Sequence, residues 1–517
     1  MKTEESDKFL PDVEKDQRKD NEHSFEDAFE LTGHGKFNHL VLFTSGLIML
    51  NVSMESVGMS YAITSAECEL RLTSKHKGLV NAAAFIGIIS TSFLWGYLGD
   101  RLGRRAVMLP ALAASAVFSV ASSFSSSVWT LLVLRFLTGC LISASSATVY
   151  AYLGEMHTGA RRAAAIAWGS AFISFSFMIL PGLAWLIIPG KWSFTLACME
   201  IVPWRAFIWL WCAPGLAAAA ILLCLPESPR YLLAVKGPEA ALPVLATMYA
   251  WNHDCDPSEY PVTKISSSSS EGPAGGFSGA IRNIFLMFKP PLLRCVVISH
   301  VSMFAVFMVS SGLYVWVPDI LNNILRNTSQ EKINICQIIA EKALNATLAL
   351  KAGYNKCEAE VSVAVFPISM SMGAVFAITY LAIGFFINKV GRKTLYCGIM
   401  VTCGAATIAA AFVPHGGAAT ALLIVSLCSG CAASILAAIA VDVFPTSLRA
   451  MAMCVMYMVG RAGAAVGSNL LGATLDSHCE AAFTIFGAFT AGTTILMAFW
   501  PKPGKIREAM EAKGLTY

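Results

Sequence analysis

A turn of ten residues, Gly96-Tyr97-Leu98-Gly99-Asp100-Arg101-Leu102-Gly103-Arg104-Arg105, stands between two long apolar runs, 78–98 and 106–124. Three arginines and an aspartate in that setting cannot rest in hydrocarbon, so the turn must lie at a membrane surface. Gly96 and Gly103 let two helices approach closely and reverse sharply. Short loops rich in Lys and Arg stay cytoplasmic, which predicts that this surface is the inner one. The pattern returns in weaker form at Gly384-Phe385-Phe386-Ile387-Asn388-Lys389-Val390-Gly391-Arg392-Lys393. Asn388 stands where Asp100 stood, Gly391 where Gly103 stood, and Arg392 where Arg104 stood.

A second pair of motifs keeps nearly the same offset. Glu155 and Arg162 lie seven residues apart after one apolar run, and Asp442 and Arg449 lie seven apart after another. One charged loop arises easily by chance; two motif pairs at a shared offset point to a duplicated membrane half.

Runs long enough to span a bilayer, roughly 20 residues each, fall near 38–63, 78–99, 106–127, 129–153, 163–188 and 204–225. Six more fall near 292–317, 361–387, 394–413, 418–440, 450–472 and 480–500. The chain is 56% hydrophobic and 14% charged, with a mean hydropathy of +0.61; a soluble protein carries about a quarter charged residues. The expected fold is therefore an all-α membrane protein of twelve transmembrane helices in two pseudo-symmetric six-helix halves. The net charge of +4 resides in loops between spans, which sets topology and gives no sign of nucleic-acid binding.

The expected organisation is a cytoplasmic tail at 1–37, an amino-terminal half at 38–226, a cytoplasmic linker at 227–291, a carboxyl-terminal half at 292–500 and a second cytoplasmic tail at 501–517. Residues 1–37 lack an apolar core, so no cleavable signal peptide is expected and both termini stay inside. Phe25, Ala28, Phe29 and Leu31 share one face of a short helix, expected to lie on the inner membrane surface; a disordered tail is the alternative. The serine run from Ser266 to Ser270 marks the linker as a flexible spacer, with phosphorylation as a second reading. Residues 319–360 form a large outer loop. Asn327 and Asn345 are glycosylation acceptors there, and Cys336 with Cys357 is a candidate disulfide. Asn51 matches the acceptor pattern too but sits inside the first span.

These residues resemble the major facilitator superfamily, in which two six-helix halves rock about a central site. The likeness rests on the Asp100–Arg105 loop, on Arg135 with Gly139 in the fourth span, and on Glu155 with Arg162. Pro226-Glu227-Ser228-Pro229-Arg230 narrows it to the sugar-porter and organic-ion-transporter group. Three further stretches are similar to the branch of synaptic vesicle glycoprotein 2 and related proteins: Phe25–Ala28 leading to Gly33–Phe37, Tyr314-Val315-Trp316-Val317-Pro318-Asp319, and Gly460–Ser468. That resemblance implies alternating access to a small organic solute, an organic ion or a sugar-like molecule, with protons as the candidate coupling ion. It implies a monomer in the bilayer and no cofactor. The membrane is the plasma membrane or that of an intracellular vesicle. No GxxxxGK[ST] loop supports ATP-driven pumping, and no nucleophile–base pair supports an enzyme.

An ionisable group within a span costs at least about 2.5–3.5 kcal/mol, so each demands a reason. Asn51 and Glu55 share a face of the first span, placed toward the central cavity. Glu55 there binds a cation or exchanges a proton, or else pairs structurally with a polar neighbour. The resembled branch carries additional acid in this stretch, where this chain has Asn51 and Ser53. That difference keeps a rival alive: a transporter-like protein serving as a vesicle regulator or receptor. Arg135 matches the motif linked to proton coupling, or is a structural pair. Arg461, between Gly460 and Gly463, ties helices or lines the cavity; His300 titrates or simply packs. Among the tryptophans Trp168, Trp185, Trp209, Trp211 and Trp316, the last is the foremost cavity candidate. The remaining charges suit gating: Asp100, Arg101, Arg104, Glu155, Arg162, Glu227, Arg230, Arg392, Asp442 and Arg449. Pairs such as Arg104 with Glu155 are expected to hold one half against the other.

Overall fold

The computed structural model describes residues 22–196, 199–266, 285, 287–326, 334–351, 361–441, 443–444, 446–501, 504 and 506. Among them, eleven helical segments are long and apolar enough to cross a membrane. The first ten are Lys36–Ala66, Ser74–Leu102, Arg104–Ser123, Val128–Glu155, Arg161–Ile187, Pro203–Cys224, Leu293–Arg326, Val365–Ile387, Arg392–Phe412 and Gly416–Val441. The last, Met451–Ala498, is two spans in one run, broken at His478, whose backbone leaves the helical region. Twelve spans therefore form two halves of six, and the chain is an integral multi-pass membrane protein.

The loops bearing Asp100–Arg105, Glu155–Arg162 and Lys389–Lys393 fall at one end of the bundle, the basic face. The linker begins on this face as folded helix. Pro229–Lys236 starts under a Ser228 cap and Pro238–His253 follows at once. The short helix Phe25–Leu31, capped by Ser24, packs onto them. Phe25, Ala28 and Phe29 are buried with Tyr231, Val244, Leu245 and Tyr260 in one core, and Tyr260 donates to the Ala28 carbonyl at 2.5 Å. Arg230 grips Glu26 at 2.5 and 2.9 Å and covers both phenyl rings. Strand Glu22–His23 pairs in parallel with Lys264–Ile265. This corrects one expectation: Phe25, Ala28 and Phe29 are covered by protein instead of the membrane surface, while Leu31 stays exposed.

On the opposite face, the helix Ile335–Lys351 is held by a disulfide from Cys336 to Cys479, beside the break at His478. This corrects the Cys336–Cys357 candidate: Cys479 stands at a Cα separation of 5.4 Å, within disulfide reach. Cys68 is disulfide-bonded as well. Cys357, Asn327, Asp442 and Ser267–Ser270 lie outside the described residues, and so do the side chains of Asn345, Asn388 and Arg449.

Gly103 shows why the first charged turn needs its glycine. Its φ is +111°, a region that L side chains rarely adopt, and a Cβ there would stand 2.3 Å from Glu227 Oε2. Gly391 repeats the conformation at +90°. Gly96, by contrast, lies mid-helix with nothing within 4 Å of a Cβ position. Gly103→Ala is therefore expected to cost about 1–3 kcal/mol in thermal unfolding. Gly96→Ala should be neutral or stabilise by about 0.5–1 kcal/mol; equal effects at the two positions would refute this account.

Candidate functional site

In the amino-terminal half, Glu55 and Arg135 meet in a site closed to water. Arg135 Nη1 donates to Glu55 Oε2 at 3.0 Å, with the side chains 0% and 1% exposed. Ser119 Oγ also donates to that oxygen at 3.0 Å, and the Cys212 thiol approaches the other at 3.4 Å. Arg135 Nη2 reaches the Ser119 hydroxyl and the Ser122 hydroxyl at 2.6 and 2.7 Å, while its guanidinium stacks over Trp211. Four spans, the first, third, fourth and sixth, thus meet on one ion pair. Asn51 is buried one turn away against Gly215 of the sixth span. The Asn51–Glu55 face therefore turns into its own half, which corrects its expected placement toward the central cavity.

The basic face carries a second network. The Glu227 carboxylate accepts the backbone N–H groups of Arg104, Arg105 and Ala106 at 3.0, 3.1 and 3.2 Å. It sits where the positive end of the third span's dipole favours an anion. Arg104 Nη2 pairs with Asp100 at 3.0 Å and with Glu155 at 3.1 Å. Arg105 bonds the carbonyls of Leu222 and Leu223, Arg162 bonds the Gly154 carbonyl, and the Arg101 carbonyl accepts from Tyr231. Arg392 donates to the Ala438 carbonyl at 3.2 Å. Every partner of Arg104 lies in its own half. The expectation that Arg104 and Glu155 join the halves is corrected accordingly: the network binds second, third, fourth and sixth spans into one body.

The halves meet instead toward the opposite face. Lys77, at the start of the second span, stands between Glu67 at 2.9 Å and Asp319 at 2.8 Å. Asp319 belongs to the carboxyl-terminal half, so Lys77 is the cation at the seam. Around it Ser74 donates to Asp476, Ser468 to the Gly78 carbonyl, and Tyr61 and Tyr314 share a 3.2 Å hydrogen bond. Gly78 and Gly472 let the second and eleventh spans touch backbone to backbone. Trp316 is 1% exposed, its indole N–H donating to the Ser468 carbonyl at 3.0 Å. It seals this seam, which corrects its assignment as a cavity lining. Among the described residues no ion pair crosses between the halves on the basic face.

Midway through the bundle a polar group of side chains gathers from both halves. Arg461 donates to the Ser146 hydroxyl across the divide and stands within electrostatic reach of Tyr150 and Tyr457. Tyr150 lies near Ser170, and Tyr380 is a neighbour of Tyr150 and Tyr457. Tyr150 and Tyr380 are 38% and 40% exposed deep inside the protein, so this group borders an accessible chamber. Among the described residues, Arg461 has no carboxylate partner within ion-pair distance. His300 is remote from it, buried beside Phe288 and bonded to Ser299 at 3.2 Å.

Sequence reasoning named Arg104 with Glu155 and allowed Arg135 a structural partner without naming Glu55; it overlooked Lys77, Glu67, Tyr150, Tyr380 and Tyr457. A usable signal existed for Lys77 and Asp319. Lys77 just precedes the run 78–99 and Asp319 just follows the run 292–317, so alternation of the spans sets both on the same face, opposite in sign and in different halves. The tyrosines carry no such mark, since aromatic residues are common in spans.

A family model described as the Major Facilitator Superfamily matches residues 40–330 and 333–514. Synaptic vesicle glycoprotein 2A of Rattus norvegicus is 32% identical over 225 residues, 43% of this chain and 30% of that protein. Synaptic vesicle glycoprotein 2B of Homo sapiens is 26% identical over 350 residues, 63% of this chain and 51% of that protein. The chain thus spans only about a third to a half of the length of these relatives. Among solved structures, the partially occluded inward open xylose transporter XylE from E. coli superposes with a TM-score of 0.63 at 15% identity, covering 90% of this chain and 100% of that one. The nucleoside transporter NupG gives 0.59 at 12% identity, covering 89% and 100%. These are likenesses of fold.

The buried pair supplies a direct test. Arg135→Leu leaves Glu55 buried without a counter-ion and is expected to cost about 3–5 kcal/mol. Glu55→Leu combined with Arg135→Leu should cost clearly less than the two single changes added together, measured by thermal unfolding. Simple additivity would show that the two groups do not depend on each other.

Proposed function

This chain belongs to the major facilitator superfamily, and from that premise we propose that it is a secondary transporter carrying a small organic anion by alternating access. The observation that carries the reading is Arg461, a cation at the middle of the bundle beside an accessible chamber and, among the described residues, without a carboxylate partner. A guanidinium in that low-dielectric setting is stabilised by an anion delivered to it. Its planar fork of donors suits a carboxylate or phosphate, and the hydroxyls of Tyr150, Tyr380, Tyr457 and Ser170 suit the polar remainder of a solute.

Two further features support the cycle. The Lys77–Asp319–Glu67 cluster joins the halves on one face, while among the described residues no ion pair joins them on the basic face, an asymmetry that suits an inward-open state. The disulfides on the closed face and the arginines on the other favour an outside and a cytoplasmic side respectively. Opening toward the outside requires Lys77 to leave Asp319, so the cluster biases the equilibrium by a few kcal/mol. The printed names of the curated relatives favour a vesicle membrane. Glu55 and Arg135, fully paired with each other, serve as a fixed joint of the amino-terminal half.

Uptake into proteoliposomes, with a panel of organic anions, organic cations and sugars, tests the proposal. An anion should be taken up, and Arg461→Gln should slow its uptake by about tenfold or more, since one lost charged hydrogen bond is worth about 1.5–3 kcal/mol. Arg461→Lys should retain part of it. A preference for cations, or full activity in Arg461→Gln, would defeat the anion reading. Failure of every solute to bind or move would favour the regulator or receptor reading. Separately, Lys77→Gln should widen the mean distance between spin labels at the outer ends of the second and eleventh spans. An unchanged distance distribution would remove Lys77 from the gate.

A further inference from the structure

Beside the bundle's basic face, four side chains from two segments, three imidazoles and one guanidinium, form a cluster that the transport reading does not use. His34 lies in the turn before the first span, and His39 follows one turn into it. His157 lies in the turn between the fourth and fifth spans, and Arg161 opens the fifth. The rings of His34 and His39 are 5.0 Å apart, and those of His34 and His157 are 5.8 Å apart. His157 is buried as the floor, while His34, His39 and Arg161 are exposed around it. The electrostatic neighbours of His34 are Arg161 and His39, and those of His157 are His34 and His39. Nearby Asp254 is taken by Lys36 at 2.6 Å, and His253, packed over Gly33, bonds the Tyr249 carbonyl. Glu155 is engaged by Arg104, and Arg162 by the Gly154 carbonyl. Thr158 gives the helix beginning at Gly159 no side-chain cap, so its positive end adds to the same spot.

What lies beneath the cluster decides its ligand. One turn deeper than His39, Phe43 is 48% exposed, and two turns deeper than Arg161, Trp168 is 69% exposed. Phe43 meets Phe172, which lies one turn beyond Trp168, at 6.2 Å between ring centroids. In a membrane bundle those exposed aromatics face acyl chains. The cluster therefore sits at the head of an apolar, outward-facing strip formed by the first and fifth spans.

We infer that this place binds a phospholipid with an anionic phosphate-bearing headgroup, the phosphate lying among Arg161, His39 and His34 and an acyl chain running along Phe43 and Trp168. The hydrogen bonds fix how the imidazoles take part. His39 Nδ1 and His157 Nδ1 each face a backbone carbonyl at 2.8 Å, so in the neutral ring the proton sits on Nδ1. The Nε2 of each ring then offers only a lone pair and becomes a donor to phosphate when protonated. Burial holds His34 and His157 below the usual imidazole range, with Arg161 adding to the effect at His34. An arriving anion opposes that effect, so lipid binding takes up protons and strengthens as pH falls.

The purified full-length chain in detergent is titrated with dioctanoyl phosphatidic acid, dioctanoyl phosphatidylcholine and inorganic phosphate, read by native mass spectrometry and by thermal midpoint. Phosphatidic acid should bind about tenfold more tightly than phosphatidylcholine. Arg161→Gln with His39→Gln should raise its Kd about fivefold or more, and Arg161→Lys should keep most of the affinity. Both positions are exposed, and lipid-free midpoints of the variants verify that the fold persists. The wild-type Kd should fall between about pH 8 and about pH 6, and His34→Gln should flatten that trend. Equal binding of the two lipids, or an unchanged Kd in the Arg161 and His39 variant, overturns the site. Inorganic phosphate binding as tightly as phosphatidic acid overturns the lipid assignment in favour of a free-anion site.

Discussion

A charge inside a membrane bundle must meet its opposite, and the pairing of Glu55 with Arg135 is the contact on which the amino-terminal half depends. It draws four spans to one point, with the Ser119 and Ser122 hydroxyls accepting from the guanidinium's Nη2. In a medium of low dielectric such a pair is sensitive to the loss of either partner, more than it is a source of stability in itself. Its effect is specificity: the first span can take one rotation about its axis, the one that brings Glu55 to Arg135. The same rotation sends Asn51 against Gly215 and turns Phe43 outward.

With that half made rigid, the remaining charges divide by location. Those on the basic face, gathered by Glu227 and Arg104, bind helices within the half. Lys77 on the other face bonds across the seam. Arg461 alone among the inner cations reaches from one half to the other at the level of the chamber, through a neutral serine. A charge satisfied within its own half is carried along in any rocking motion. A charge satisfied across the seam is affected by it.

How much of this was legible in the sequence follows from range. The repeat, the twelve spans and the need for Gly103 rest on local pattern, because a bilayer demands length and apolarity from each span separately. Partners far apart in the chain were not legible. Lys77 and Asp319 lie 242 residues apart, and Cys336 and Cys479 lie 143 apart; only the assembled bundle brings each pair together. The helix Phe25–Leu31 failed for another reason. An apolar face reads the same whether lipid or protein covers it, and here Tyr231 and Tyr260 do. Trp316 failed likewise, since an aromatic that seals a seam and one that lines a cavity have the same surroundings in sequence.

The helix Ile335–Lys351 has a consequence for the moving molecule. Anchored through Cys336 to Cys479, it travels as a passenger of the carboxyl-terminal half. Lys342 rides on it, donating to Asn323 at 2.9 Å and lying within electrostatic range of Asp319. In the proposed alternating-access cycle, Lys77 withdrawing with the other half would leave Asp319 within range of a second ammonium carried by its own half. The aspartate exchanges one counter-ion for another instead of becoming a bare charge, which flattens the electrostatic hill between the two states.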